Sequence, residues 1–202
     1  VSIGVPLGIL SAVKQNSLMD TIPTMIAFFL AAVPSFVVGI VLMYVFALKL
    51  NWFPSYGLTS VKHYVLPVIA ATICELSAYL RFTKSSMLES IRQDYVRTAR
   101  AKGVAERTVI WKHALKNALL PVVTSIGMRF GCLLAGMVTT EKLFSIPGIG
   151  SLIVDSISLK DEPMIIGCAI MVSVCFTLLM IGVDLIYAFI DPRIRAKYSK
   201  RR

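Results

Sequence analysis

Apolar residues run through this chain in long blocks, and the charged residues gather between them. Residues 21–48 contain no Asp, Glu, Lys or Arg, and neither do residues 163–183. Residues 64–80 contain only Glu75, and residues 117–140 only Arg129. A helix that crosses a bilayer core needs roughly 20 apolar residues, and buried strands are much shorter. The repetition of blocks this long argues against a soluble protein with a few apolar core helices. Residues 1–13 are apolar but short, start without Met and lack the basic leader and small-residue cleavage site of a signal peptide. They read as the trailing end of a span. The pattern predicts an all-α, polytopic transmembrane helix bundle of about five spans, the first truncated, in one domain covering residues 1–202.

The polar segments sharpen this outline. Pro23 and Pro34 predict a kinked first full span, and Ala31, Ala32, Ser35 and Gly39 would let a neighbouring helix approach closely. Trp52, Tyr56 and Tyr64 fit an interfacial aromatic belt. Between residues 83 and 117, good helix formers precede Gly103, the residue type favoured just past a helix end. A second helix can start near Glu106, with Trp111, Leu115 and Leu119 at four-residue spacing on one apolar face. This loop therefore reads as helix, glycine bend, helix. Pro147, Gly148 and Gly150 mark a turn, and residues 151–158 a short amphipathic helix. Asp191 and Pro192 stop the last span, and six Lys/Arg follow.

Charge adds an orientation. Five alternating segments divide the loops between two sides, with 15 Lys/Arg on one and 4 on the other. The positive-inside rule places the richer side, with loop 83–117 and the C-terminus, in the cytoplasm. The formal net charge of +10 is then largely topological. Only 16% of the 202 residues are charged, against about a quarter in soluble domains. Cys74, Cys132, Cys168 and Cys175 all lie in apolar blocks without a CxxC pair, so neither a disulfide framework nor a metal site is expected.

The loop also carries a motif. Tyr95-Val96-Arg97-Thr98-Ala99-Arg100-Ala101-Lys102-Gly103, followed by His113-Ala114-Leu115-Lys116-Asn117-Ala118-Leu119-Leu120-Pro121, resembles the cytoplasmic loop of binding-protein-dependent ABC importer permeases. It is most similar to their dipeptide/oligopeptide/nickel group. The general pattern there is Glu-Ala-Ala, three residues, Gly, nine residues, then Ile-x-Leu-Pro. Gly103 holds the Gly position, Ala99 the second Ala and Leu115 the Leu. Arg97 replaces Glu, His113 replaces Ile, and Lys116 stands where Pro is typical. Pro34-Ser35-Phe36, the stretch from Thr140 to Gly150 and residues 184–195 extend the resemblance over essentially the whole chain. Members of the family normally have six spans.

The resemblance implies a type I importer permease, pairing with a second homologous permease, two ATPase subunits and an extracytoplasmic solute-binding protein. ATP and Mg would sit on the ATPase subunits, and no cofactor on this chain. The loop would be a coupling element seated on the ATPase. Its small residues Ala99, Ala101 and Gly103 would permit close approach, while Tyr95, Val96, Trp111 and Leu115 would supply apolar anchors. Arg97, Arg100, Lys102 and Arg107 would make rim contacts, with Thr98, His113 and Asn117 in the same surface. The alternative for the basic residues is attraction to anionic membrane lipid.

Charges inside apolar blocks are functional candidates because burying them is costly. Glu75 and Arg129 could pair across the bundle or line a polar path. Asp184 lies nearer the inner end of its span. Glu141, Phe144, Pro147 and Gly148 form a candidate outer gate and docking surface. The chain has no GxxxxGK[ST] phosphate loop and no convergent nucleophile–base set, so it is not expected to be an enzyme. The function predicted is permeation of dipeptides or oligopeptides through the cytoplasmic membrane. The alternatives are nickel import by the same kind of permease and a membrane-tethered nucleic-acid binder using the basic loop. The first is weakened by the presence of only two His, and nucleic acid is not expected as a partner.

Overall fold

The structure is a computed structural model that describes residues 1–134 and 137–190. Every regular element among them is a helix. Ten are numbered here: α1 (Gly4–Val13), α2 (Leu18–Ala32), α3 (Ser35–Leu42), α4 (Lys62–Ile91), α5 (Asp94–Ala101), α6 (Glu106–Thr108), α7 (Leu115–Leu134), α8 (Val138–Leu143), α9 (Ile149–Leu159) and α10 (Glu162–Ile190). Two π-helical stretches join them without a break: Met43–Lys49 extends α3, and Val109–Ala114 links α6 to α7. The stop at Asp191-Pro192 and the basic tail lie outside the described residues.

The described residues of the five apolar blocks are mostly helical, but the blocks do not all make straight spans. By length and composition, α4 and α10 can cross a membrane. Block 21–48, expected as one kinked helix, is instead broken between Ala32 and Ser35, and becomes a third span only if its two pieces count together. Pro34 explains the break: it has ψ 142, outside the helical range, and proline has no N–H to carry the ladder on. Pro23, Pro67 and Pro121 stay inside their helices. The helix of block 117–140, α7, carries Lys116 and Arg129, and α1 is only ten residues long.

The described residues form two compact units. The first comprises residues 1–28, 76–128 and 179–190. Here α1 lies directly on α4 through glycines. A Cβ on Gly8 would come within 2.7 Å of the Leu80 carbonyl oxygen and of Thr83 Cβ, so any other residue would push the helices apart. Ile9, Ala12, Met87, Ile110 and Ala118 close the core beneath them. The second unit comprises residues 29–75, 129–134 and 137–178. Its core gathers Ala47, Leu66, Ala70 and Phe144, and α3 approaches α8 so closely that a Cβ on Gly39 would clash with Leu143. Trp52, expected in an aromatic belt, is exposed and tilts against Phe46 at 5.6 Å between ring centroids. The four cysteines are free.

Candidate functional site

The loop between α4 and α7 is a folded element with its own core. Asp94 opens α5, whose far end is closed by Gly103 at φ +75, a left-handed conformation that glycine adopts without steric cost. No atom would crowd a Cβ there, so the glycine is required by the backbone and not by packing. After the bend, Val109 and Ala114 come back onto Val96 and Ala99. Val96 and Val109 retain no exposed surface, a burial that contributes about 1.5–3 kcal/mol each.

This core corrects two expectations. Val96 and Ala99 hold α5 to the segment after the bend and are not surface available to a partner. Trp111 does not share a face with Leu115 and Leu119. The π-helical stretch Val109–Ala114 inserts a residue into the turn, which breaks the four-residue spacing. Trp111 is 57% exposed, while Leu115 packs against the first unit's core. Tyr95 is partly exposed, and Arg97, Thr98, Arg100, Gly103 and Asn117 lie on the surface. His113 is half-buried, and its carbonyl accepts a bond from Asn117 Nδ2.

Two serines of α4 fasten this element. Ser86 Oγ donates to the Ala118 carbonyl at 2.8 Å, and Ser90 Oγ donates to the Ala114 carbonyl at 2.7 Å. With its single proton used in this way, Ser90 accepts the Tyr95 hydroxyl at 2.6 Å. One side chain thus joins α4, α5 and the end of the π-helical stretch before α7. On the surface, Arg100 grips Glu106 with two bonds, Nη2 to Oε1 at 2.7 Å and Nε to Oε2 at 3.1 Å, bracing the bend from outside. The pair raises the Arg100 pKa and holds Glu106 below the ordinary carboxylate value, in both cases mainly through this hydrogen bonding. Arg97 reaches Asp94 only at 3.7 Å.

A second charged cluster in the same unit escaped the sequence reading. Asp20, 5% exposed at the start of α2, accepts Ser11 Oγ, Lys84 Nζ, Thr24 Oγ1 at 3.1 Å and the Asn16 backbone N–H at 3.0 Å. The cluster ties α1, α2 and α4 together. Its signal in the sequence was one acid and one lysine, each near the edge of an apolar block where charge is ordinary.

In the second unit, Glu75 and Arg129 do come together. Arg129 Nη1 lies 3.2 Å from Glu75 Oε2 and 3.5 Å from Oε1, with both side chains partly exposed. Glu141 turns toward its own neighbours. Its Oε2 accepts the Ser151 N–H at 2.6 Å in the first turn of α9, and its carboxylate rests against Gly148, where a Cβ would lie 2.3 Å from Cδ. Ser151 Oγ accepts the Gly148 N–H at 3.0 Å. A carboxylate at a helix N-terminus satisfies free N–H groups and the helix dipole. Phe144 is buried beneath this turn and Pro147 is exposed. Lys142 pairs with Asp155 across the same hairpin. Asp184 is exposed and has no ion-pair partner among the described residues. Nor do three His, Cys, Asp or Glu side chains converge as metal ligands among those residues.

Comparison with known proteins gives the arrangement a context. Residues 4–196 match the family described as "Binding-protein-dependent transport system inner membrane component". The chain is 42% identical over 197 residues to the glutathione transport system permease protein GsiC of Salmonella choleraesuis (strain SC-B67), and equally to that of Pectobacterium atrosepticum. The identity to GsiC of Escherichia coli (strain K12) is 41%. These alignments cover 98% of this chain and 64% of each relative, so the chain spans a little under two thirds of the length of the curated relatives it matches. With the match running through nearly every described helix, the chain belongs to the binding-protein-dependent family of ABC importer permeases.

Proposed function

We propose that this chain is the membrane-spanning permease subunit of an ABC importer that moves peptides across the cytoplasmic membrane. Loop 83–117 and the C-terminus would face the cytoplasm. The observation that carries the reading is the bent helix pair Asp94–Ala101 and 106–114. It is internally packed, fastened to α4 by Ser90, and presents Tyr95, Trp111, Lys102 and Arg107 outward. A stiff element with exposed aromatics and a basic rim fits a partner groove, and it can pass a push from that partner into α4 and α7. The partners are a second permease, two ATPase subunits that bind ATP and Mg, and an extracytoplasmic binding protein. The peptide class is supported by relatives named for glutathione, itself a peptide.

Glu75–Arg129 is the proposed polar feature of the translocation path. The turn held by Glu141 is the proposed outer gate.

The test is reconstitution of the complete complex in liposomes, with ATPase rate and uptake measured with and without loaded binding protein. Glutathione or an oligopeptide should stimulate both, and nickel neither. Trp111→Asp should release the ATPase from the membrane. Gly103→Ala, which forces a side chain into the left-handed region at a cost of about 1 kcal/mol, should keep the complex together and lower uptake per ATP. If wild type recruits no ATPase, the loop is not a coupling element.

A further inference from the structure

A cavity of about 530 Å³ opens in the first unit between the end of α1, the end of α4 and the helix pair after it. Its floor is apolar, made by Leu88, Ile91 and Ile110, and its rim carries Arg92, Arg97 and Gln15. Arg100 and Glu106 also line it, but they neutralise each other through their paired bonds. Arg97 has only the 3.7 Å contact with exposed Asp94, and Arg92 has no ion-pair partner among the described residues. The cavity therefore holds two guanidiniums in excess over an apolar base. Val13 of α1 also lines the cavity, and Leu10, one turn earlier on the same helix, is exposed too.

We propose that this cavity binds the phosphate headgroup of an anionic phospholipid, with its acyl chains running along the apolar side of α1. The planar arginine fork matches phosphate oxygens. Ligand pockets run from roughly 300 to 1,000 Å³, so this one has room for a glycerophosphate headgroup and far more than a bare phosphate would fill. No aromatic ring lines it to stack a nucleotide base. In the orientation proposed above, on which this inference rests, this end of the helices is on the cytoplasmic side, where anionic lipids attract basic groups near the membrane surface. Gln15 adds a donor and acceptor for headgroup hydroxyls. The proposal gives Arg97, expected from the sequence at the ATPase rim, to the lipid instead, and leaves the exposed Trp111 to coupling.

Native mass spectrometry of the detergent-purified full chain, offered phosphatidylglycerol and phosphatidylcholine at equal concentration, tests it. Phosphatidylglycerol should be retained preferentially. Arg92→Gln and Arg97→Gln should each lower that preference about fivefold. Arg92→Lys should recover part of it. Lys112→Gln, an equally basic change in the same loop outside the cavity, should leave it unaltered, and matched thermal midpoints should show every variant folded. Four results would overturn the proposal: no preference between the lipids, an equal loss with Lys112→Gln, displacement of the lipid by millimolar inorganic phosphate alone, or its expulsion by the partner ATPase. The third would leave a plain anion site and the fourth a protein interface.

Discussion

Two ion pairs in this chain look alike on paper and are built differently. Asp20–Lys84 is closed: the carboxylate is buried and receives four donors, from Ser11, Asn16, Thr24 and Lys84. Glu75–Arg129 is open, with longer contacts and with 26% and 39% of the two side chains still exposed. A saturated buried pair has nothing left to offer a passing solute, and losing one member strands the other in a low-dielectric interior. An open pair keeps accessible charge. The first suits a fixed joint between helices, and the partial exposure of the second is what its proposed place in the translocation path calls for.

The contrast is broken most directly at Asp20. Asp20→Ala should cost about 3 kcal/mol or more, read as a large fall in the thermal midpoint of the detergent-solubilised chain. Asp20→Asn with Lys84→Met should recover much of it by removing both charges. If Asp20→Ala leaves the midpoint unchanged, the joint is not structural. Next comes the open pair. A double-mutant cycle of Glu75→Gln and Arg129→Gln should give a coupling of about 1 kcal/mol in stability, with the larger effect falling on uptake. A coupling as large as that at Asp20 would erase the distinction. A third carboxylate sharpens the comparison: Glu141→Gln keeps an acceptor for the Ser151 N–H but loses its charge at the start of α9. It should cost about 0.5–1 kcal/mol, seen as faster amide exchange over residues 149–152.

The smallest effect is expected at the exposed extreme. Glu106 is held below the ordinary carboxylate value by Arg100, so the pair's stabilisation is complete above the unfolded-state value of about 4.3 and fades as pH falls through the lower folded-state value. The loss should be no more than about 0.5 kcal/mol. Amide exchange around Gly103, corrected for intrinsic pH dependence, should rise in acid for wild type and stay level for Glu106→Gln.

The parts of this molecule that could be read from its sequence were those written in local grammar. The bend at Gly103 and the short helix near residues 151–158 follow from backbone preferences and periodicity, and both are found. Glu75 and Arg129 stood out because each interrupts an apolar block. Asp20 and Lys84 were hidden for the opposite reason: both sit at block edges, where charge is ordinary, and 64 residues separate them. Val96 was misjudged because an apolar residue in a short polar helix can face a partner or its own neighbours, and only the returning chain decides which. Trp111 was misjudged because a four-residue repeat presumes a regular helix. Pro34 was legible as a disturbance, but not whether it would kink the helix or divide it.

The π-helical stretch Val109–Ala114 has a consequence for which changes this family member can tolerate. One surplus residue in the turn sets how everything before it is rotated about the axis of α7. Removing any one residue there would restore a regular ladder and swing the hairpin by roughly 100°, taking Tyr95 away from Ser90 and turning the Trp111 face elsewhere. Single substitutions in this stretch are changes of spelling, and a one-residue deletion is a frame error in three dimensions.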